Sequence, residues 1–167
     1  IVPTPAGLSR LKELYFFKNL GSSVLFVLTC FAYPLLTAGH PLMSLPAIAL
    51  LAGFFVLFET TYEILYDFRD LEGDRLLHVP TYPVVHGPQV AQRIMAGLLL
   101  GSVATLLLGV WLGHLGVREL LMAVAPLSQF GFYRPRLARG LTSQDCLWLT
   151  HLGSAQLLLF LVGTALW

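Results

Sequence analysis

Residues 42 to 75 read Leu42-Met-Ser-Leu-Pro-Ala-Ile-Ala-Leu-Leu-Ala-Gly-Phe-Phe-Val-Leu-Phe-Glu-Thr-Thr-Tyr-Glu-Ile-Leu-Tyr66, followed at once by Asp67-Phe-Arg-Asp-Leu-Glu-Gly-Asp-Arg75. The first part is 25 residues of nearly unbroken apolar sequence, and about 20 suffice to cross the hydrocarbon layer as a helix. The second part holds three of the chain's four aspartates, Asp67, Asp70 and Asp74. A helix continued through this stretch turns by about 100° per residue, which places Glu59, Glu63, Asp67, Asp70 and Asp74 on one narrow stripe. Like charges at i,i+4 oppose one another by about 0.2–0.5 kcal/mol per pair, and a helix C-terminus is already partly negative. A bound cation is the natural remedy.

The rest of the chain agrees with a membrane setting. Of 167 residues, 56% are hydrophobic and 11% charged, and the mean hydropathy is +0.75, outside the range of soluble domains. Five apolar stretches approach the spanning length: 20–38, 42–66, 94–113, 117–133 and 147–167. The fourth is short and contains Arg118, Glu119 and Pro126. No strand-like alternation competes, and only helices or closed barrels satisfy their backbone in lipid. The expected fold is therefore all-α, a multi-pass bundle of about five helices forming a single domain.

Nine of the ten basic residues fall on one side of this arrangement: Arg10, Lys12 and Lys18 before the first helix, Arg69, Arg75 and Arg93 around the second connection, and Arg134, Arg136 and Arg139 in the fourth. Those segments are expected to be cytoplasmic, with the amino end inside and the carboxyl end outside. A net charge of +1 gives no sign of nucleic-acid binding. Residues 1–19 read as an interfacial lead in which Pro3, Pro5 and Gly7 precede Leu8, Leu11, Leu14 and Tyr15 at helical spacing. No cleavable signal peptide is evident, and the start at Ile1 rather than Met points to a processed chain or a piece of a longer one.

Gly39-His40-Pro41 is expected to turn the first helix into the second, and 67–92 forms the longest polar connection, facing the cytoplasm. Pro135 and Gly140 break the inner loop 134–146. Gly97-Leu-Leu-Leu-Gly101 and Gly109-Val-Trp-Leu-Gly113 are small-xxx-small patterns suited to close helix packing. Pro46 and Pro126 mark expected kinks. Cys30 and Cys146 match no metal spacing and read as apolar packing residues with no disulfide.

Two readings of the acidic segment compete. In one, the carboxylates are solvated loop charges paired with Arg69 and Arg75. In the other they form a site, because Glu59 and Glu63 sit inside a spanning helix, where ionisable groups are costly and usually functional. Oxygen ligands without His or Cys at ligand spacing favour Mg²⁺, which keeps positions for substrate phosphate. Lys18, Arg69, Arg75 and Arg93 nearby then suggest a phosphate-bearing ligand.

Asp67-x-x-Asp70-x-Glu72-Gly73-Asp74-Arg75, continued by Thr81-Tyr-Pro83-Val-Val-His-Gly87, resembles the second aspartate-rich motif of the UbiA superfamily of intramembrane prenyltransferases. Arg10-Leu-Lys12 to Lys18-Asn19 resembles the basic segment before that fold's fifth helix. The similarity spans the whole chain, aligned with the carboxyl-terminal half of a nine-helix bundle. It implies transfer of a polyprenyl group from a diphosphate to an aromatic, quinone or tetrapyrrole-type acceptor, with Mg²⁺ held by aspartates. Carried over by position, Asp67, Asp70 and Asp74 are the implied catalytic, metal-binding carboxylates, and Arg75 and Lys18 the implied substrate contacts. Lys18 alone also fits an interfacial anchor.

The family's first motif, N-x-x-x-D-x-x-x-D, has no counterpart here, since the remaining asparagine and aspartate are Asn19 and Asp145. His78 and His86 stand where the family has small or aliphatic residues. His151 and Gln156, inside the fifth helix, either line a cavity or bond a neighbouring helix. The resulting expectation is a UbiA-like prenyltransferase module with isoprenoid lipid and membrane as partners. It would be completed by its own amino-terminal half or another protein chain, and inactive alone. The alternative is a non-catalytic relative serving as a structural subunit that binds lipid, quinone or pigment.

Overall fold

The computed structural model describes residues 2–4, 7–9, 17–38 and 43–165. A short antiparallel ribbon pairs β1 (Val2–Thr4) with β2 (Gly7–Ser9), Pro3 opposite Leu8; the helical spacing expected over 8–15 falls partly on these strands and partly outside the described residues. Every other element among the described residues is helical.

The first rod runs from α1 (Phe17–Val27) through a widened turn at Leu28–Ala32 into α2 (Tyr33–Thr37). Pro34 lacks an N–H, so the ladder must adjust there, and the Tyr33 N–H reaches back five residues to the Leu28 carbonyl. The Gly39-His40-Pro41 turn lies outside the described residues. The second rod, α3 (Leu45–Arg69), starts at Ser44, whose hydroxyl accepts from the Ala47 N–H. Pro46 sits in that first turn, where its missing N–H costs nothing, so it starts the helix rather than kinking it.

Asp70, at φ −94° and ψ 8°, ends α3, and a short α4 (Leu71–Leu76) sets off from it. The expected polar loop 67–92 is thus largely helical, with α4 followed by α5 (Tyr82–His86) and α6 (Pro88–Trp111). Between α4 and α5 the chain reverses at His78 in a left-handed conformation, φ 53°, while Val79 N–H donates to the Asp74 carbonyl at 2.9 Å. Gly87, at φ +80°, separates α5 from α6, a conformation that a side chain would strain. The Thr81–Gly87 motif therefore works as an extended entry, a proline-started turn and a glycine exit.

At the far end of α6 the N–H groups of His114 and Leu115 both donate to Gly109 O. The Leu115 side chain folds onto Gly109, where an added Cβ would collide with its Cδ1. Gly109 thus serves this reversal instead of a helix pair. Gly97 faces open space, whereas a Cβ added at Gly101 would lie 3.5 Å from Leu57 Cδ1 and one at Gly53 3.8 Å from Thr105 Cγ2, so α3 and α6 approach closely there.

The expected span 117–133 is assembled differently. A tight turn at Glu119–Ala123 leads into the 14-residue α7 (Val124–Leu137). Together these five and fourteen residues rise about 31 Å. Pro126 lies in the first turn of α7, and Pro135, expected to break the inner loop, lies inside the helix. α8 (Ser143–Ala165) begins four residues before the expected 147. The cause is a reciprocal cap: Asp145 Oδ2 accepts from Thr142 N–H at 3.0 Å, and Asp145 N–H donates to Thr142 Oγ1 at 3.2 Å. Arg136 and Arg139 bind the same carboxylate at 3.2 and 2.7 Å, tying α7 to α8.

Among the described residues, four helices are long and apolar enough to cross a membrane: Lys18–Thr37, Leu45–Arg69, Pro88–Trp111 and Ser143–Gly163. The chain is an integral, multi-pass membrane protein. Its outer helix faces leave Leu36, Leu45 and Trp111 more than three-quarters exposed, as a lipid-facing surface should. α3 is the centre, packed on α1, α5, α6 and α8 through Phe54, Phe58, Ile64 and Leu65. Polar cross-links fix its rotation: Gln129 Nε2 donates to Thr61 Oγ1 at 3.0 Å, and the Tyr66 and Thr150 hydroxyls meet at 2.5 Å. Cys146 is buried and Cys30 exposed, both free.

Candidate functional site

α1 and α3 run antiparallel and share a polar seam. Going forward along α1 and backward along α3, Asn19 meets Asp67, Ser22 meets Glu63, and Ser23 meets Thr60. Ser23 also returns its hydroxyl proton to Asn19 O at 2.9 Å, so one donor satisfies the helix and accepts the next link from Thr60 at 3.0 Å. Such ladders are how helices in an apolar solvent fix register, because an unpaired polar group has no water to turn to.

The seam ends at Asp67, whose side chain is 1% exposed. Lys18 Nζ lies 2.6 Å from Oδ1, and Asn19 Nδ2 donates to Oδ2 at 2.6 Å. The same ammonium lies 3.8 Å from Asp74 Oδ2, a buried oxygen with no hydrogen-bond partner. Asp74 lies two turns beyond Asp67, and its N–H donates to the Asp70 carbonyl at 2.9 Å, so α4 carries it to the same ammonium.

Asp70 itself, where the backbone departs from helical dihedrals, lies outside this cluster. It is exposed and held by the Arg69 guanidinium, Nε and Nη2 at 2.7 and 2.6 Å from its two oxygens. This hydrogen-bonded pairing holds the Asp70 carboxyl below the usual carboxylate range. Arg69 also stacks 5.0 Å over the Tyr66 ring. Asp70 therefore leaves the five-acid stripe expected for an unbroken helix, while Asp67 and Asp74 still share one ammonium. Of the residues singled out in sequence, Asp67, Asp74 and Lys18 come together; Asp70 and the exposed Arg75 stay outside.

Among the described residues, no group of three or more His, Cys, Asp or Glu side chains is arranged to hold a metal ion. The donor set explains why Mg²⁺ does not fit this arrangement. Both Asp67 oxygens already accept from Lys18 and Asn19, Asp70 faces away, and the ammonium stands between Asp67 and Asp74 where a cation would have to sit. Thr81 Oγ1, at the start of the Thr81–Gly87 motif, is also buried without a partner. His78 and His86 are exposed.

Beside the seam lies a cavity of about 560 Å³ between α3, α8 and the segment leading into α7, walled by Phe54, Phe58, Tyr62, Tyr66 and Phe160. Polar lining groups are largely engaged: Tyr62 Oη donates to Leu149 O at 3.4 Å, Gln156 Nε2 to Ser128 Oγ at 2.7 Å, and the Arg118 guanidinium lies 5.9 Å over Phe160. Glu59 is the carboxylate among the lining residues. Gly153 makes room for Tyr62, whose hydroxyl an added Cβ would strike. Gln156 both lines the cavity and bonds a neighbouring helix, while His151 sits on the exposed face. The cavity reading offered for His151 and Gln156 holds for Gln156 alone, and the aromatic wall on α3 was not anticipated from the sequence. Its signal is the aromatic series 54, 58, 62 and 66, each residue one turn beyond the last.

The model of the UbiA prenyltransferase family matches residues 8–154. No curated protein and no solved structure matches the chain.

Proposed function

The chain belongs to the UbiA prenyltransferase family, and we propose that it is a prenyltransferase module. In this reading it receives a polyprenyl diphosphate and takes part in passing the prenyl group to an aromatic, quinone or tetrapyrrole-type acceptor. The observation that carries the reading is the aromatic cavity alongside α3, one residue from the charged cluster: Tyr66 lines the cavity and Asp67 anchors Lys18. Its size falls within the range of small-molecule sites, and its walls suit an isoprenoid chain.

The chemistry breaks the allylic C–O bond, with the electron pair leaving on the diphosphate. The acceptor then forms the new C–C or C–O bond and loses a proton. The aromatic walls would keep water from the cation. The carboxylates as arranged do not fit a shared Mg²⁺, so no step is derived through it. The positive charge this chain itself offers a diphosphate is that of Lys18, with two N–H donors beyond the one on Asp67, and of exposed Arg75. Charge on the other side of the leaving group would come from the amino-terminal half or another chain. The basic end of the bundle is proposed to face the cytoplasm.

A second reading, a non-catalytic subunit that holds an isoprenoid, quinone or pigment, is favoured by the internal satisfaction of Asp67. A photoreactive polyprenyl diphosphate analogue separates these outcomes. It should label α3 and α8 peptides and be displaced by unlabelled donor; labelling indifferent to competitor and to Gly153→Leu refutes the cavity assignment. Release of diphosphate after adding the complementary amino-terminal half supports the enzyme, and labelling without release supports the subunit.

A further inference from the structure

We infer that Lys18 is the resident cation of this acidic cluster: its ammonium locks α1 onto α3 and α4, and a divalent cation can enter only by displacing it. The comparison with a metal rests on the family reading above, but the lock rests on geometry alone. Lys18 reaches Asp67 at 2.6 Å and Asp74 at 3.8 Å, from a helix 49 residues away in sequence from Asp67. Asn19 closes the second Asp67 oxygen, and Asp67 itself is only 1% exposed, although the Lys18 side chain is 31% exposed. A carboxylate buried in this way is tolerated only with its charge paired and its lone pairs filled. Glu63, bound by Ser22, is the remaining acid that the ammonium feels. A single positive charge thus serves two carboxylates from two helices. It is supplied by the chain: Lys18 bonds Asp67 directly and pairs with Asp74 by charge alone, at 3.8 Å. Lys18 is here a positioning residue for Asp67 and Asp74.

The test uses the full chain in lipid nanodiscs, comparing wild type with Lys18→Met, Lys18→Arg and the pair Lys18→Met/Asp67→Asn, by thermal unfolding and by calorimetric titration with Mg²⁺ alone. Wild type should keep one Tm in chelator and in millimolar Mg²⁺. Lys18→Met should melt several degrees lower and regain part of the loss with Mg²⁺ but not with Na⁺ at equal ionic strength. Its Mg²⁺ affinity should be about tenfold or more tighter than that of wild type, because one positive charge has left the site. Lys18→Arg should stay metal-indifferent. The double variant, which leaves no charge unpaired between these two positions, should recover stability and ignore Mg²⁺. If Lys18→Met does not fold while the double variant does, the lock is supported. Saturable Mg²⁺ binding by wild type that raises its Tm overturns it, as does a Lys18→Met chain as stable and as metal-indifferent as wild type.

Discussion

Replacing Asp67 by alanine should be the most damaging single change in the acidic segment. The substitution strands two donors at once. Lys18 loses its contact at 2.6 Å, and Asn19, itself 2% exposed, loses the acceptor of its amide. Removing one member of a buried pair costs about 3–5 kcal/mol. The Lys18 side chain is 31% exposed and has Asp74 within 3.8 Å, so its share falls to about 2 kcal/mol once partial solvation is allowed for. The unpaired Asn19 amide adds about 1–3 kcal/mol. The expected loss is about 3–5 kcal/mol, against a whole stability of about 5–15 kcal/mol. Asp67→Asn keeps one acceptor and should cost less. Asp70→Ala removes only an exposed pair with Arg69, where about 0–1 kcal/mol is at stake. Denaturant titration in mixed micelles, monitored by helix loss and tryptophan emission, gives the three values. Equal losses for Asp67→Ala and Asp70→Ala would refute the reasoning, because the motif's aspartates would then share one environment.

Gly153→Leu should force Tyr62 aside and fill the cavity, costing about 1–3 kcal/mol by overpacking and reducing capture of an isoprenoid probe on the order of tenfold; unchanged capture would mean the probe binds elsewhere. Asp145→Ala should lower stability by about 1–2 kcal/mol through loss of the cap on α8 and of the Arg136 and Arg139 contacts, with amide exchange rising first over 142–146. Single reporter cysteines at Glu72 and Val117, with Cys30 and Cys146 changed to serine, should react from opposite sides of sealed vesicles; reaction from one side would overturn the proposed orientation.

Membrane class, helix count to within one segment and the acidic end of α3 were all legible in the sequence, because hydropathy and covalent order fix them whatever the helices do next. The family resemblance was legible too, and part of its motif proved to be backbone geometry: Pro83 starts α5 and Gly87, at φ +80°, releases α6. Less legible were the caps. Thr142 and Asp145 carry the spacing of a helix start, and the residues three apart were there to be read, yet the apolar run alone placed α8 too late. Pro46 and Pro135 show the same ambiguity, since a proline's effect depends on whether its missing N–H falls in a first turn or an interior.

Which acids meet was decided only in three dimensions. Asp67, Asp70 and Asp74 look equivalent at their spacing, but the backbone of Asp70 leaves the helical region, so the stripe breaks there. Asp70 turns to Arg69 in solvent, while Asp74, two turns beyond Asp67, stays within 3.8 Å of Lys18. Partners of Asp67 come from 48 and 49 residues away on α1, brought in by the rotation of one helix against another. That rotation is set by packing and by the Ser22, Ser23 and Thr60 links rather than by any local spacing. The cavity has the same origin: its aromatic wall is a one-turn repeat in α3, but the space exists because Gly153 on α8 lets Tyr62 lie where a side chain would have stood. Sequence determined the elements and their chemistry, since each depends on neighbours along the chain; tertiary structure chose the pairings, since a buried charge takes whichever partner the packed helices bring to it.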